Sequence, residues 1–130
     1  MKLTTVFELE EKISAARDEL ARLKSLATAT TARIDGLPRS TSVTSRIENY
    51  AVKILDCQRR LDGLVEDSLC AQIDLTLDIT KRVHGTAGAI LYRRYIQLKP
   101  FAVIAAELNY SESAIYKFHS DGVKKFNASE

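Results

Sequence analysis

Catalysis needs a nucleophile, a metal or a paired acid and base at workable spacing, and this sequence supplies few of them. Its two histidines, His84 and His119, lie far apart in the chain. There is no glycine-rich phosphate loop, no HExxH and no nucleophile-elbow pattern. The two cysteines, Cys57 and Cys70, are thirteen residues apart. On one helix that spacing is roughly 20 Å, too far for a disulfide. Neither has a histidine at metal-ligand spacing, so both read as small, buried or half-buried thiols. Glu107 and Glu112 flank a turn and read as helix-end charges rather than an acid–base pair. These features point away from an enzyme and imply no cofactor. The residues with a coherent chemistry are hydroxyls, a phenol and lysines gathered near the C-terminus: Ser113, Tyr116, Lys117, Ser120 and Lys124. Their chemistry is hydrogen bonding to base edges and phosphates.

The elements that position them run from Pro100 to Phe126. Pro100 suits the first helical position, where a missing N–H costs nothing. Phe101, Ile104, Ala105 and Leu108 recur on one helical face. Asn109-Tyr110-Ser111 breaks the pattern. Asn109 tolerates a left-handed, helix-ending conformation, and Ser111 is a good N-cap. A second helix then places Ile115, Phe118, Gly122, Val123 and Phe126 inward. Ser113, Tyr116, Lys117, Ser120 and Lys124 point outward. Two short helices, a three-residue turn and a basic outer face make the pattern of a helix-turn-helix. In such a motif Ser113, Tyr116, Lys117 and Ser120 are the base-reading candidates. Lys117 suits guanine O6 and N7, the hydroxyls suit several edges, and Tyr116 suits a hydrogen bond or a thymine methyl. Arg93, Arg94, Lys99, Ser111, Lys124 and Lys125 lie at the margins and are the phosphate candidates. His119 lies between the two faces and reads as a packing residue, with a phosphate contact the alternative. His84, near a helix C-terminus, reads as a dipole partner.

The stretch ILYRRYIQLKPFAVIAAELNYSESAIYKFHSDGVKKF resembles the region-four helix-turn-helix of bacterial sigma factors. It is more similar still to the C-terminal part of small phage proteins related to the ArpU-type late-gene transcriptional regulators. The arginine-bearing helix LYRRYIQL, the turn IAAELNYSESAIY and the KKF ending carry the likeness, over about a third of the chain. GLPRS followed by RIENYAVKIL resembles the same phage proteins. Asn109 stands where many such turns have Gly. The reading positions differ from most sigma sequences, so no promoter element is implied. The resemblance implies a phage or prophage transcriptional regulator binding double-stranded DNA near promoters in a bacterial cytoplasm.

The length fits one domain or a small domain plus an extension. The chain has 130 residues, 45% hydrophobic, with two prolines and five glycines, which argues for an all-α protein. No run of about 18 apolar residues occurs, so no membrane span is expected. The opening MKLTTVFELEEK meets acidic residues too early for a signal peptide. Residues 1–80 carry 11 basic and 13 acidic side chains, and residues 81–130 carry 8 and 4. The positive charge thus belongs to the C-terminal part, which favours a polyanion partner there.

Upstream, Thr5 with Glu8 forms a capping-box pattern. Leu9, Ile13, Ala16, Leu20, Leu23 and Ala27 then alternate by four and three, a heptad seam. Gly36-Leu37-Pro38 should end that helix. A second helix, capped at Ser45 with Glu48, carries Val43, Ile47, Tyr50, Ile54, Cys57, Leu61 and Leu64. Gly63 marks a weak point or a close approach. The apolar pattern continues through Leu69, Ile73, Leu77, Ile79 and Val83. Two heptad helices around a short turn make an antiparallel hairpin. The first, of about 28 residues, covers only part of the second, of about 40. The set from Ile73 to Val83 therefore needs the C-terminal helices or a second chain. Thr86 is the cap of a third helix with Ile90, Leu91, Ile96 and Leu98 for the core.

The expected architecture is all-α: a coiled-coil-like hairpin arm over residues 1–84 and a three-helix, sigma region-four-like domain over 85–130. The expected function is DNA reading by the second helix of the motif, with the hairpin supplying homo-oligomerisation or RNA polymerase contact. The alternative is a protein-interaction module that binds polymerase, a sigma factor or another phage protein without reading DNA.

Overall fold

A computed structural model describes residues 2–34 and 41–128. Among these residues the fold is all-α, with five helices: α1 (Thr5–Ile34), α2 (Thr41–Arg82), α3 (Gly85–Tyr95), α4 (Phe101–Leu108) and α5 (Glu112–Ala128). α1 and α2 form the long hairpin, and the three short helices pack together, as the apolar periodicity implied. No helix among the described residues is long and apolar enough to cross a membrane. The chain divides into two compact units, Leu9–Asp67, and Met1–Glu8 with Ser68–Glu130.

The hairpin unit is held by its heptad seam. Ile13, Ala16, Leu20 and Leu23 from α1 meet Cys57 and Leu61 from α2, with Tyr50, Ile54, Leu64 and Val65 packed around them. The Cys57 thiol lies 3.6 Å from the Ala16 carbonyl, which it can reach as a donor. Cys57 is therefore a small core residue, while Cys70 is exposed rather than buried or half-buried. Gly63 has open space where a Cβ would stand, so no close approach explains it.

Below the hairpin the α2 pattern differs from the expected one. Leu69, Ile73 and Leu77 are 55%, 63% and 54% exposed, and the buried residues are Ser68, Ala71, Leu75, Ile79 and Val83. Counting on from Leu61 and Leu64, the heptad alternation leads to 68, 71 and 75. Register along the helix therefore decides burial, even where it selects a serine and an alanine over leucines. The buried Ser68 hydroxyl accepts from Gln72 Nε2 at 3.2 Å. Farther on, Ile79 and Val83 border a cleft with Gly88, Ala89 and Tyr92 of α3. Arg82 lies over the Phe126 ring at 4.7 Å and donates to the Phe126 carbonyl at 3.4 Å. The buried part of α2 thus packs on the C-terminal helices.

Several helix starts also shift. Thr4, not Thr5, accepts the first helical bond of α1, from Glu8 N–H at 3.0 Å. The Thr5 hydroxyl turns back to the Lys2 carbonyl, and the Thr4 hydroxyl donates to Glu8 Oε1. Glu8 then falls one position beyond the capping-box site. α2 begins at Thr41, so Ser45 is inside the helix rather than its cap. A few tenths of a kcal/mol per Ser or Thr is too little to stop a helix that its seam continues. Gly36-Leu37-Pro38 and the Val43 side chain lie outside the described residues. His84 rather than Thr86 precedes α3, in an extended conformation without a side-chain cap. The turn is tight there: a Cβ on Gly88 would stand 2.6 Å from the Val83 carbonyl oxygen, and Gly85 has φ of 74°.

The register makes a direct stability prediction. Leu75 is fully buried and Leu77 two residues on is half exposed. Leu75→Ala should cost about 2–5 kcal/mol, through lost burial and a cavity. Leu77→Ala should cost no more than about 0.5 kcal/mol. Equilibrium urea unfolding of the two variants checks this, and the reverse ranking would place Leu77 in the core.

Candidate nucleic-acid interface

The outer face of α5 is presented by a short turn. α4 starts after Pro100, whose carbonyl accepts from Val103 and Ile104 N–H. Pro100 is thus the N-cap, one position earlier than expected. Asn109 ends α4 in the left-handed region, with φ 60° and ψ 40°. Its N–H and that of Tyr110 both donate to the Ala105 carbonyl, which satisfies groups a helix end leaves open. The Ser111 hydroxyl accepts from Ala114 N–H at 3.2 Å and caps α5. That capping bond occupies one acceptor site of a hydroxyl proposed for phosphate.

α5 is pressed inward by its apolar side. Ile115 is fully buried with Ile90, Ile104 and Ala105, and Phe101, Leu108 and Phe118 close around them. A Cβ on Gly122 would meet Ala87 and Leu91 at 3.3–3.4 Å, so glycine lets α5 and α3 approach closely. Phe126 is 1% exposed. On the opposite side Ser113, Tyr116, Lys117, Ser120 and Lys124 are all exposed. They line one stripe, with Lys117 and Lys124 two turns apart. This stripe can donate hydrogen bonds and positive charge to a grooved, polyanionic surface.

The cations of α3 and the following loop are arranged differently. Lys99 Nζ lies 2.8 Å from Glu107 Oε1, and Arg93 Nε lies 3.6 Å from Glu107 Oε2. The Lys99 hydrogen bond, with the Lys99 and Arg93 charges, holds the Glu107 carboxyl below the usual carboxylate range. Arg93 also donates to the Ala89 carbonyl at 3.4 Å. Arg94 lies over the Phe101 ring, 4.5 Å from its centroid, and donates to the Lys99 carbonyl. Three of the phosphate candidates are thus engaged within the unit. Glu107 is more than a local helix-end charge. Its partners reach it across the α3–α4 loop, at spacings no single-helix pattern reveals. Lys125, the remaining phosphate candidate, is exposed near the end of α5.

His119 joins three helices. Tyr95 of α3 and His119 Nε2 are hydrogen-bonded at 2.7 Å, with their rings stacked at 5.7 Å. The edge of the Phe101–His119 pair brings α4 to the same point at 5.0 Å. The ring is half-buried, in keeping with a packing role. His84 is exposed between α2 and α3. No group of three or more His, Cys, Asp or Glu that could hold a metal occurs among the described residues.

Burial, reinforced by the Arg94 charge, pushes the His119 pKa below its ordinary value. As pH falls, the unfolded chain therefore binds this proton before the folded one. The stability His119 contributes is present above about pH 6.5, the unfolded value, and is lost as pH falls from there through the folded pKa. Urea unfolding from pH 7.5 to 5.5 should show wild type weakening more steeply than His119→Phe. Equal slopes would show that His119 titrates as in the unfolded chain.

Comparison of the chain with protein-family models, with curated proteins and with solved structures finds no match.

Proposed function

We propose that this chain is a DNA-binding transcriptional regulator of phage or prophage type. α4, the turn and α5 act as a helix-turn-helix, with α5 in the major groove. The observation that carries this reading is the exposed Ser113–Tyr116–Lys117–Ser120–Lys124 stripe, set opposite a fully buried Ile115 and a glycine-mediated contact with α3. A reading helix needs this combination: an inner face that fixes its stance and an outer face of donors near base edges. The assignment also takes up the resemblance of this stretch, read from its residues alone, to sigma region four and to ArpU-type regulators, for which the comparisons supply no match. Action in the cytoplasm of a bacterial host follows from it. The mechanism requires no cofactor and no bond-making chemistry. Lys117 donates to guanine, the serines and Tyr116 read neighbouring edges, and Lys124 and Lys125 contact phosphates. The hairpin supplies homo-oligomerisation or polymerase contact, and a dimer would read two half-sites at fixed spacing.

The second reading is a protein-interaction module that keeps the same fold and binds polymerase, a sigma factor or another phage protein. Its specific support is the engagement of Arg93, Arg94 and Lys99 inside the unit, together with the exposed apolar Val103 and Tyr110 on and just after α4.

Selection from random duplex DNA, at two salt concentrations, separates the two. Wild type should enrich a sequence motif that Tyr116→Ala/Lys117→Ala does not, and Lys117→Glu/Lys124→Glu should abolish binding. No enrichment, with weak binding that disappears at the higher salt, would favour the interaction module.

The Glu107 ion pairs add a quantitative expectation. Glu107→Gln releases Lys99 and Arg93 toward phosphate. Non-specific DNA affinity at low salt should rise, and the slope of log K against log salt should steepen by about one to two. An unchanged slope in a salt titration would mean that these cations do not face DNA.

A further inference from the structure

Tyr116 is 51% exposed, yet its ring is not free. Phe101, the first residue of α4, lies 4.8 Å from it, centroid to centroid, with the rings tilted by 45°. The same Phe101 carries the Arg94 guanidinium at 4.5 Å and meets the His119 ring edge-on at 5.0 Å. His119 in turn is bonded to Tyr95. Four aromatic rings and a guanidinium thus form one chain from the end of α3, through the start of α4, to the outer face of α5. Phe101 is its junction: the ring that holds Tyr116 is itself held by Arg94 and by His119, one turn along from Tyr116 on α5.

An exposed tyrosine without such a contact samples several rotamers, and binding must then stop that motion at an entropic cost. Here the ring already has a packing partner in the free protein. That partner is a residue on the other helix of the motif.

We propose that Phe101 is a positioning residue for Tyr116, setting its ring against a thymine methyl group so that part of the sequence preference of α5 is determined from α4. This inference rests on the DNA-reading function proposed above and adds the ligand chemistry, a pyrimidine 5-methyl, and the residue that orients its reader. Phe101 acts here through Tyr116, so the effect to read is on discrimination at the methyl group.

The test uses the full-length chain with wild type, Phe101→Leu, Phe101→Met and Phe101→Tyr. Affinity is measured for the selected duplex and for duplexes in which single thymines are replaced by uracil, which removes only the methyl group. Wild type should lose about fourfold in affinity at one thymine, the value of one buried methyl. Phe101→Leu and Phe101→Met should bind both duplexes alike at that position, and Phe101→Tyr should restore the difference. In DNA-free protein labelled with 3-fluorotyrosine, the Tyr116 resonance, assigned with Tyr116→Phe, should move toward the free-tyrosine position when the Phe101 ring is removed. Phe101→Met retains most of the core volume, so a Phe101→Leu chain that melts leaves the test intact.

The proposal is overturned if either ring-less variant keeps the thymine–uracil difference, or if the Tyr116 resonance does not move. It is overturned equally if both variants lose affinity for all sequences in the same proportion, which would mark Phe101 as merely structural. A wild-type chain that selects a motif but ignores the methyl groups sinks this inference alone. One that selects no motif sinks the DNA-reading function with it, while the fluorine measurement still reports whether the ring contact exists.

Discussion

What α5 offers on its outer face depends on how its inner face is seated. Ile115 is enclosed by Ile90 of α3 and by Ile104 and Ala105 of α4, and Gly122 brings the α5 backbone against Ala87 and Leu91. A helix fixed at one point could still roll about its axis. Seated at Ile115, Gly122 and Phe126, over three turns, it has one rotational setting, and the side chains opposite inherit it. Dense packing gives that setting its stiffness, because any roll would open voids between side chains that now touch.

Electrostatics in the same unit follow a different logic. Glu107 collects Lys99 and Arg93, and Phe101 collects Arg94, so the positive charge of α3 and its loop is used first to brace the α3–α4 connection. The pairs are partly exposed, and such pairs contribute little to stability. Their larger effect is on where the free positive potential lies. With these cations engaged, Lys117 and Lys124 on the outer stripe of α5 carry a greater share of the positive potential at the surface of the unit.

Much of this was legible in the residues. The seam from Ile13 to Leu23, the break at Asn109, the cap at Ser111 and the two faces of α5 each follow from a short, regular pattern with one dominant cause. What was not legible involves competition between causes. Leu69, Ile73 and Leu77 look like core by hydrophobicity, but the register begun at Cys57 and Leu61 carries Ser68, Ala71 and Leu75 inward. The starts of α1 after Thr4, of α2 at Thr41 and of α3 after His84 departed from the best-looking caps because a cap is worth about 1 kcal/mol and a continuing seam or a tight turn outweighs it. The engagement of Arg93, Arg94 and Lys99 could not be read at all. It joins residues across a loop whose path, with Leu98 at φ 56°, no spacing rule anticipates.

Asn109 bears on how this chain can drift in sequence. Its left-handed backbone is open to glycine and tolerable to asparagine and aspartate, whose short polar side chains bond locally. It is closed in practice to valine and isoleucine. Lineages that keep this turn are thus confined to a small alphabet at one position, while the exposed positions of α5 four to fifteen residues later are free to vary. A fold that restricts the turn and leaves the outer stripe in solvent can take substitutions on that stripe without disturbing the seat of α5.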